Sequence, residues 1–284
     1  MVTESQTGAT SRDAQGRGQG DTHLSGTGVC CPAPGGCAGP RGGSAGARHC
    51  GAARALLLLI GAGLPGGVLF RADILLMRWR YALVGQDGPD GIFKQYVEGL
   101  RHFGQAPAIT VALVIAAMTD RRRRAIIATV LLAQLAASMA YNPLKAAVGR
   151  YRPFAAIEAV GPLEEMRPAD TWLGWRPGNR QNRTQSFPSG HSAAAFALAG
   201  ILAFFYPRLG GLLWVLAAGC ALSRFIDGVH WLSDCWFGAA IGLLSAWLVL
   251  SVGRRLGLLD RPVEPVTADG ALRGQGSPRG YNAS

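Results

Sequence analysis

The chain has 284 residues, 49% of them hydrophobic and only 16% charged, against about 25% charged in an ordinary soluble domain. That balance excludes a mainly disordered protein and argues against a cytosolic enzyme. The net charge of +11, from 28 Lys and Arg against 17 Asp and Glu, suits nucleic acid, the topology-setting arginines of a membrane protein, or an anionic substrate. The apolar runs along the chain favour a membrane protein with no nucleic-acid partner.

Residues 1–53 are rich in Gly, Ser, Thr and Arg without periodicity and read as a flexible tail. The first apolar run starts only at Ala55, so no signal peptide is expected, and Cys30 follows no apolar stretch that would suit a lipoprotein anchor. Four of the six cysteines, Cys30, Cys31, Cys37 and Cys50, lie in this tail; Cys220 and Cys235 lie in or beside apolar segments. No CxxC pair or zinc spacing occurs, so the cysteines read as structural or incidental.

A helix crossing the hydrocarbon core needs about 20 residues. Six candidates follow in order: Ala55–Phe70, Pro107–Met118, Ala125–Tyr141, Ser192–Tyr206, Leu209–Ile226 and Asp234–Val252. The first is short, contains Pro65, and extends toward Leu76 only by placing Arg71 and Asp73 near an interface; the second borrows residues from His102 onward. Between them a polar stretch, 71–103, carries the turn signals Gly85, Gly88, Pro89 and Gly91. A long loop, 146–187, holds Trp172, Trp175 and many arginines. Three regions result: a tail to residue 53, a six-span domain over 54–253, and a disordered tail over 254–284. The Arg121–Arg124 block belongs in the cytoplasm by the positive-inside rule. Six spans then put both termini inside and the 146–187 loop outside. Trp231 and Trp236 are expected in the interfacial aromatic belt.

Ionisable residues at the helix ends of a membrane protein are costly and are functional candidates. Lys145, Arg152 and Arg224 offer three cations suited to phosphate oxygens. Pro153 pushes Arg152 out of helical geometry. Ser189 suits the N-cap of the fourth span, Gly190 permits close backbone approach, and the first-turn N–H groups form an anion site. His191 shares that turn. His230 and Asp234 are spaced i, i+4, so on a helix Asp234 hydrogen-bonds one ring nitrogen of His230 and leaves the other free to attack. His191 is then the general acid for the leaving oxygen. Each residue alone has a structural reading as snorkelling arginine, cap or core histidine; it is their combination that points to chemistry.

The three clusters read KAAVGRYRP at 145–153, PSGH at 188–191 and SRFIDGVHWLSD at 223–234. They resemble the signature of the type 2 phosphatidic acid phosphatase (PAP2) superfamily, K-x6-RP, PSGH and SR-x5-H-x3-D, at every motif position. The resemblance covers about residues 55–252. It implies an all-α, integral membrane six-helix bundle with its site at the outer face of a bacterial inner membrane. It also implies His230 as the nucleophile that becomes phosphohistidine, Asp234 as its orienting partner, and His191 as the acid. Lys145, Arg152, Ser189, Gly190 and Arg224 then bind phosphate, with no metal or other cofactor. The implied partner is a phosphorylated lipid in the bilayer: phosphatidic acid, phosphatidylglycerophosphate, undecaprenyl pyrophosphate or lipid A. Arg167, Arg176, Arg180 and Arg183 of the long loop are candidates for shaping headgroup choice. Lipid phosphotransfer, sugar-phosphate hydrolysis and a non-catalytic or transport role are the alternatives. Soluble vanadium-dependent haloperoxidases share the signature, but the apolar spans argue against that reading.

Overall fold

The computed structural model describes residues 44–85 and 88–259, with side chains from residue 63 onward. Residues 1–43 and 260–284 of the two expected tails lie outside the described residues. Two units divide the chain, Met1–Ser44 and Ala45–Ser284, and the helical bundle belongs to the second. The elements are α1 (Ser44–Val84), α2 (Gly91–Arg101), α3 (Ala106–Thr119), α4 (Arg123–Ala147), β1 (Val148–Arg150), α5 (Pro153–Ala159), β2 (Trp172–Trp175), α6 (Gly190–Phe205), α7 (Gly210–Ile226) and α8 (Leu232–Arg255). Among the described residues, α4, α8 and the stretch Pro207–Ile226 containing α7 are long and apolar enough to cross a membrane. The stretch from α2 through α3 adds a fourth if its two halves, bent by 61°, are one span. The chain is thus a predominantly helical integral membrane protein, and α6 is a shorter apolar helix within it.

The reason for the bundle is a small-residue seam. Helix α6 packs against α4, α7 and α8. On α8, Gly238, Gly242 and Ala246 recur every four residues and so lie on one face. A Cβ at Gly238 would overlap the Ser189 carbonyl oxygen, one at Gly242 the Ala193 carbonyl oxygen, and one at Gly200 of α6 would meet the Ala246 Cβ at 2.8 Å. The two backbones approach as closely as small residues allow, the usual means of association in lipid. Around that seam, Ile126, Val130 and Ala133 of α4, Leu198 and Ile201 of α6, and Leu213 and Ala217 of α7 form one buried cluster. Outward faces stay apolar: Leu135 and Met139 on α4, Val215 on α7 and Leu248 on α8 are exposed, as hydrocarbon contact requires.

The region 71–103 departs from the polar turn expected. Helix α1 runs on through Arg71 and Asp73 to Val84, because most of its polar side chains find partners inside the protein. Arg80 donates from Nε and Nη2 to the Ile226 carbonyl at 2.8 and 2.6 Å, at the C-terminus of α7. Arg78 donates to the Leu163 carbonyl at 3.0 and 2.7 Å. Asp73 is fully buried. Helix α4 likewise carries Pro143 and continues to Ala147, so Lys145 sits in its last turn rather than beyond it. The 146–187 loop holds a short antiparallel pair, with Gly149 opposite Gly174 and a bulge between Gly149 and Arg150.

Gly242→Val should break the α6–α8 seam and lower stability in detergent by about 1–3 kcal/mol or more. Gly211→Ala meets nothing within 4 Å, so its melting temperature should be unchanged or slightly raised. Equal thermal melts for the two variants would refute the seam.

Candidate active site

The site forms where α4, α6 and α8 end or begin. Gly228 takes a left-handed conformation, φ +67°, which ends α7 with a turn. The His230 N–H donates back to the Arg224 carbonyl at 3.3 Å. His230 therefore precedes α8 rather than lying on it, while Asp234 sits in the first turn of α8 and accepts from the Trp231 N–H at 3.1 Å. The Ser189 N–H donates to the Asp234 carbonyl at 3.0 Å, so the PSGH segment is bonded to the same turn. A cis Phe187–Pro188 peptide precedes it. Ser189 is the N-cap of α6 as expected, its Oγ accepting from the Ser192 N–H at 3.5 Å. A Cβ on Gly190 would meet the Tyr141 ring at 3.1 Å, so this glycine lets α6 start close against α4.

Six of the expected residues share one electrostatic field. Lys145 interacts with Arg152, Asp234 and Arg224. His191 interacts with Arg224, His230 and Lys145, and His230 with Asp234, Lys145 and Arg152. Three buried polar atoms here, Arg152 Nε, Arg224 Nε and His230 Nδ1, have no hydrogen-bond partner among the described residues. Burial, then the charge of Arg224, push the Arg152 guanidinium below its ordinary value. Unpaired, partly buried donors on mutually repelling cations favour an anion between them. Arg224 Nη1 donates to Asp227 at 2.9 Å and Arg152 Nη2 to Asn182 at 2.6 Å, which aims both forks. Of the loop arginines, Arg176 and Arg180 are exposed, while Arg167 and Arg183 pair with Asp170 and Glu158.

His230 is buried, and burial first of all pushes its imidazole down to about 4, leaving the neutral ring that a nucleophile needs. Asp234 Oδ2 faces its Nδ1 at 3.8 Å, beyond hydrogen-bond length. The carboxylate is committed elsewhere as well: Oδ2 accepts from Ser186 Oγ, and Oδ1 from Arg150.

Arg150 is the residue that the motif pattern passed over. It has no solvent exposure. Its guanidinium donates to Asp234, to Asp73 at 2.6 Å and to Ser233 Oγ at 2.8 Å. The Trp172, Phe70 and Trp231 rings lie 4.7, 5.3 and 5.4 Å from its Cζ. Asp73 in turn accepts from the Ser233 N–H at 3.0 Å. Trp231 is not in an interfacial belt; it is wholly buried under Arg150 and donates from Nε1 to the Tyr151 carbonyl at 2.8 Å. The signal for Asp73 was present in the sequence as a carboxylate at the end of an apolar run. Its partner, 77 positions away, was not.

Two outcomes follow. Arg150→Met leaves two buried carboxylates without their shared cation and should cost about 3–5 kcal/mol, with loss of activity; wild-type melting would contradict this. For His230, the folded value lies below the ordinary 6.5, so the unfolded chain binds the proton first. Its contribution is complete above about pH 6.5 and is lost as pH falls toward about 4. The melting temperature of His230→Gln should therefore fall less steeply over that window than that of the wild type.

Residues 125–257, which contain all three clusters, match the PAP2 superfamily. The chain is 30% identical over 111 residues to the bacitracin transport permease protein BcrC of Bacillus licheniformis, covering 39% of this chain and 47% of that one. It is 30% identical over 118 residues to a lipid A 1-phosphatase of Rhizobium johnstonii, covering 42% and 44%. The chain thus spans less than half the length of these relatives. A transmembrane PAP2 type phosphatidylglycerolphosphate phosphatase from Bacillus subtilis superimposes with a TM-score of 0.49 at 18% identity, over 71% of this chain and 96% of that one.

Proposed function

Since residues 125–257 match the PAP2 superfamily, we propose that this chain is a membrane phosphatase that hydrolyses the phosphomonoester or pyrophosphate of a lipid. The observation that carries the reading is the convergence of Lys145 and Arg152 on His230, with Arg224 interacting with Lys145 and His191, and with Arg152 Nε and Arg224 Nε buried and unpaired among the described residues. The three cations and the N-terminal turn of α6, with Ser189 and Gly190, hold the phosphate. His230 attacks phosphorus through its Nε2 nitrogen, and Asp234 steadies Nδ1. The 3.8 Å separation shortens when substrate is bound, as catalytic hydrogen bonds do between free and complexed enzymes. His191 protonates the leaving oxygen. Water then attacks the phosphohistidine, releasing phosphate.

The cations and N–H groups supply the charge stabilisation that a metal provides elsewhere, so the reaction is metal-independent. A lipid substrate fits a site at the ends of membrane helices, and the lipid A 1-phosphatase relative supports the same class. In this reading the domain over 54–253 is a six-span bundle in a bacterial inner membrane, with Arg121–Arg124 and both termini cytoplasmic and the site on the outer face.

Purified protein in detergent should release phosphate from at least one of phosphatidic acid, phosphatidylglycerophosphate, undecaprenyl pyrophosphate and lipid A. EDTA should leave the rate unchanged, vanadate should compete with substrate, and His230→Ala should lower kcat by several orders of magnitude while still folding. Release that His230→Ala retains, or that EDTA abolishes and Mg²⁺ restores, would overturn this mechanism.

A further inference from the structure

The proposed acid, His191, is held from behind by a side chain outside the three motifs. Gln105 Nε2 lies 3.1 Å from His191 Nε2, and Gln105 Oε1 lies 2.6 Å from His102 Nδ1. An amide nitrogen only donates and an amide oxygen only accepts. In this arrangement His102 donates to Gln105 and Gln105 donates to His191. The neutral His191 ring then carries its proton on Nδ1.

The contact is built into the backbone. Gln105 lies at the break between α2 and α3, where the two helices bend by 61°. Gly104, just before it, is buried, and a Cβ there would overlap the His191 carbonyl oxygen and meet Cys220 Sγ at 2.8 Å. Cys220 Sγ also lies 3.5 Å from the Arg101 carbonyl and 3.8 Å from that of His191. The corner of the broken helix is therefore seated on the first turn of α6.

We infer that Gln105 is a positioning residue for the acid–base step: it occupies His191 Nε2 and so assigns Nδ1 as the nitrogen that exchanges a proton with the substrate. This rests on the reading of His191 as the acid. In the first half-reaction the His230–phosphorus bond forms, the bond from phosphorus to the leaving oxygen breaks, and the Nδ1 proton of the His191 imidazolium passes to that oxygen. In the second, water oxygen bonds phosphorus, the phosphorus–His230 bond breaks, and the water proton returns to Nδ1. The amide serves the resting and the working ring. At rest its nitrogen donates to the Nε2 of the neutral Nδ1–H ring. In the cycle Nε2 keeps its proton, so the amide is turned over and its oxygen accepts from Nε2–H before and after Nδ1 gives up its proton, while exposed His102 exchanges donor for acceptor.

The test uses the full chain in detergent and two esters. The alkoxide of dodecyl phosphate needs a proton as it leaves; the phenolate of 4-nitrophenyl phosphate does not. Gln105→Met keeps the size and removes the hydrogen bond. It should lower kcat on dodecyl phosphate about tenfold or more, with KM little changed, and lose several-fold less on 4-nitrophenyl phosphate. Gln105→Glu still accepts from Nε2–H and should recover most of the alkyl activity. Equal losses on both esters, or wild-type rates for Gln105→Met, would overturn the inference. His191→Ala on the same pair checks the reading beneath it: an equal loss on both esters there removes His191 as the acid, a result separable from failure of Gln105 alone. If the Gln105 variants do not melt as folded protein, His102→Ala at its exposed position must show the same ester-dependent loss in smaller measure, and an equal loss or none overturns the role.

Discussion

One guanidinium organises this protein. Arg150 sits between Asp73 of α1 and Asp234 of α8, boxed by Trp172, Phe70 and Trp231. A buried charge is tolerated only when paired and hydrogen-bonded. Arg150 therefore draws α1, the β1–β2 pair and the start of α8 to one point. Ser233 and Ser186 complete the donors around the two carboxylates. The register slips between Gly149 and Arg150, with Leu173 of β2 left over, so that Trp172 stands opposite the arginine. Without Arg150, Asp73 would be a buried carboxylate with no cation beside it.

Rigidity around the reacting groups comes from a second source. The α6–α8 seam is made of glycines and alanines whose missing side chains let backbones touch. The same seam carries the bond from the Ser189 N–H to the Asp234 carbonyl. The first turn of α6 and the carboxylate facing His230 are thus parts of one stiff unit. The cations Lys145 and Arg152 reach it from the end of α4 and the segment beyond.

Much of this was legible in the residues. The fourth to sixth apolar spans lie within two or three residues of α6, α7 and α8, because long apolar runs bounded by Gly, Pro and charge leave little choice. The meeting of Lys145, Arg152, His191, Arg224 and His230 was legible through motif spacing. The N-cap at Ser189 followed from its position before an apolar run. What stayed hidden depends on partners distant in sequence. Arg71 and Asp73 looked like the end of a helix because nothing nearby neutralises them. Trp231 looked interfacial because indole commonly is, and its burial depends on Arg150 and Tyr151. The corner at Gln105 was hidden because its single amide matters only once α6 lies beside it.

The Arg150 cluster has a consequence for the electrostatics above it. Two buried carboxylates share one guanidinium, and one of them, Asp234, also attracts Lys145 and Arg152. The protein is laminated: a stratum of paired acid and base lies against a stratum of cations, and His230 interacts with both. Asp234 thereby acts as an internal counterion to cations whose charges oppose one another.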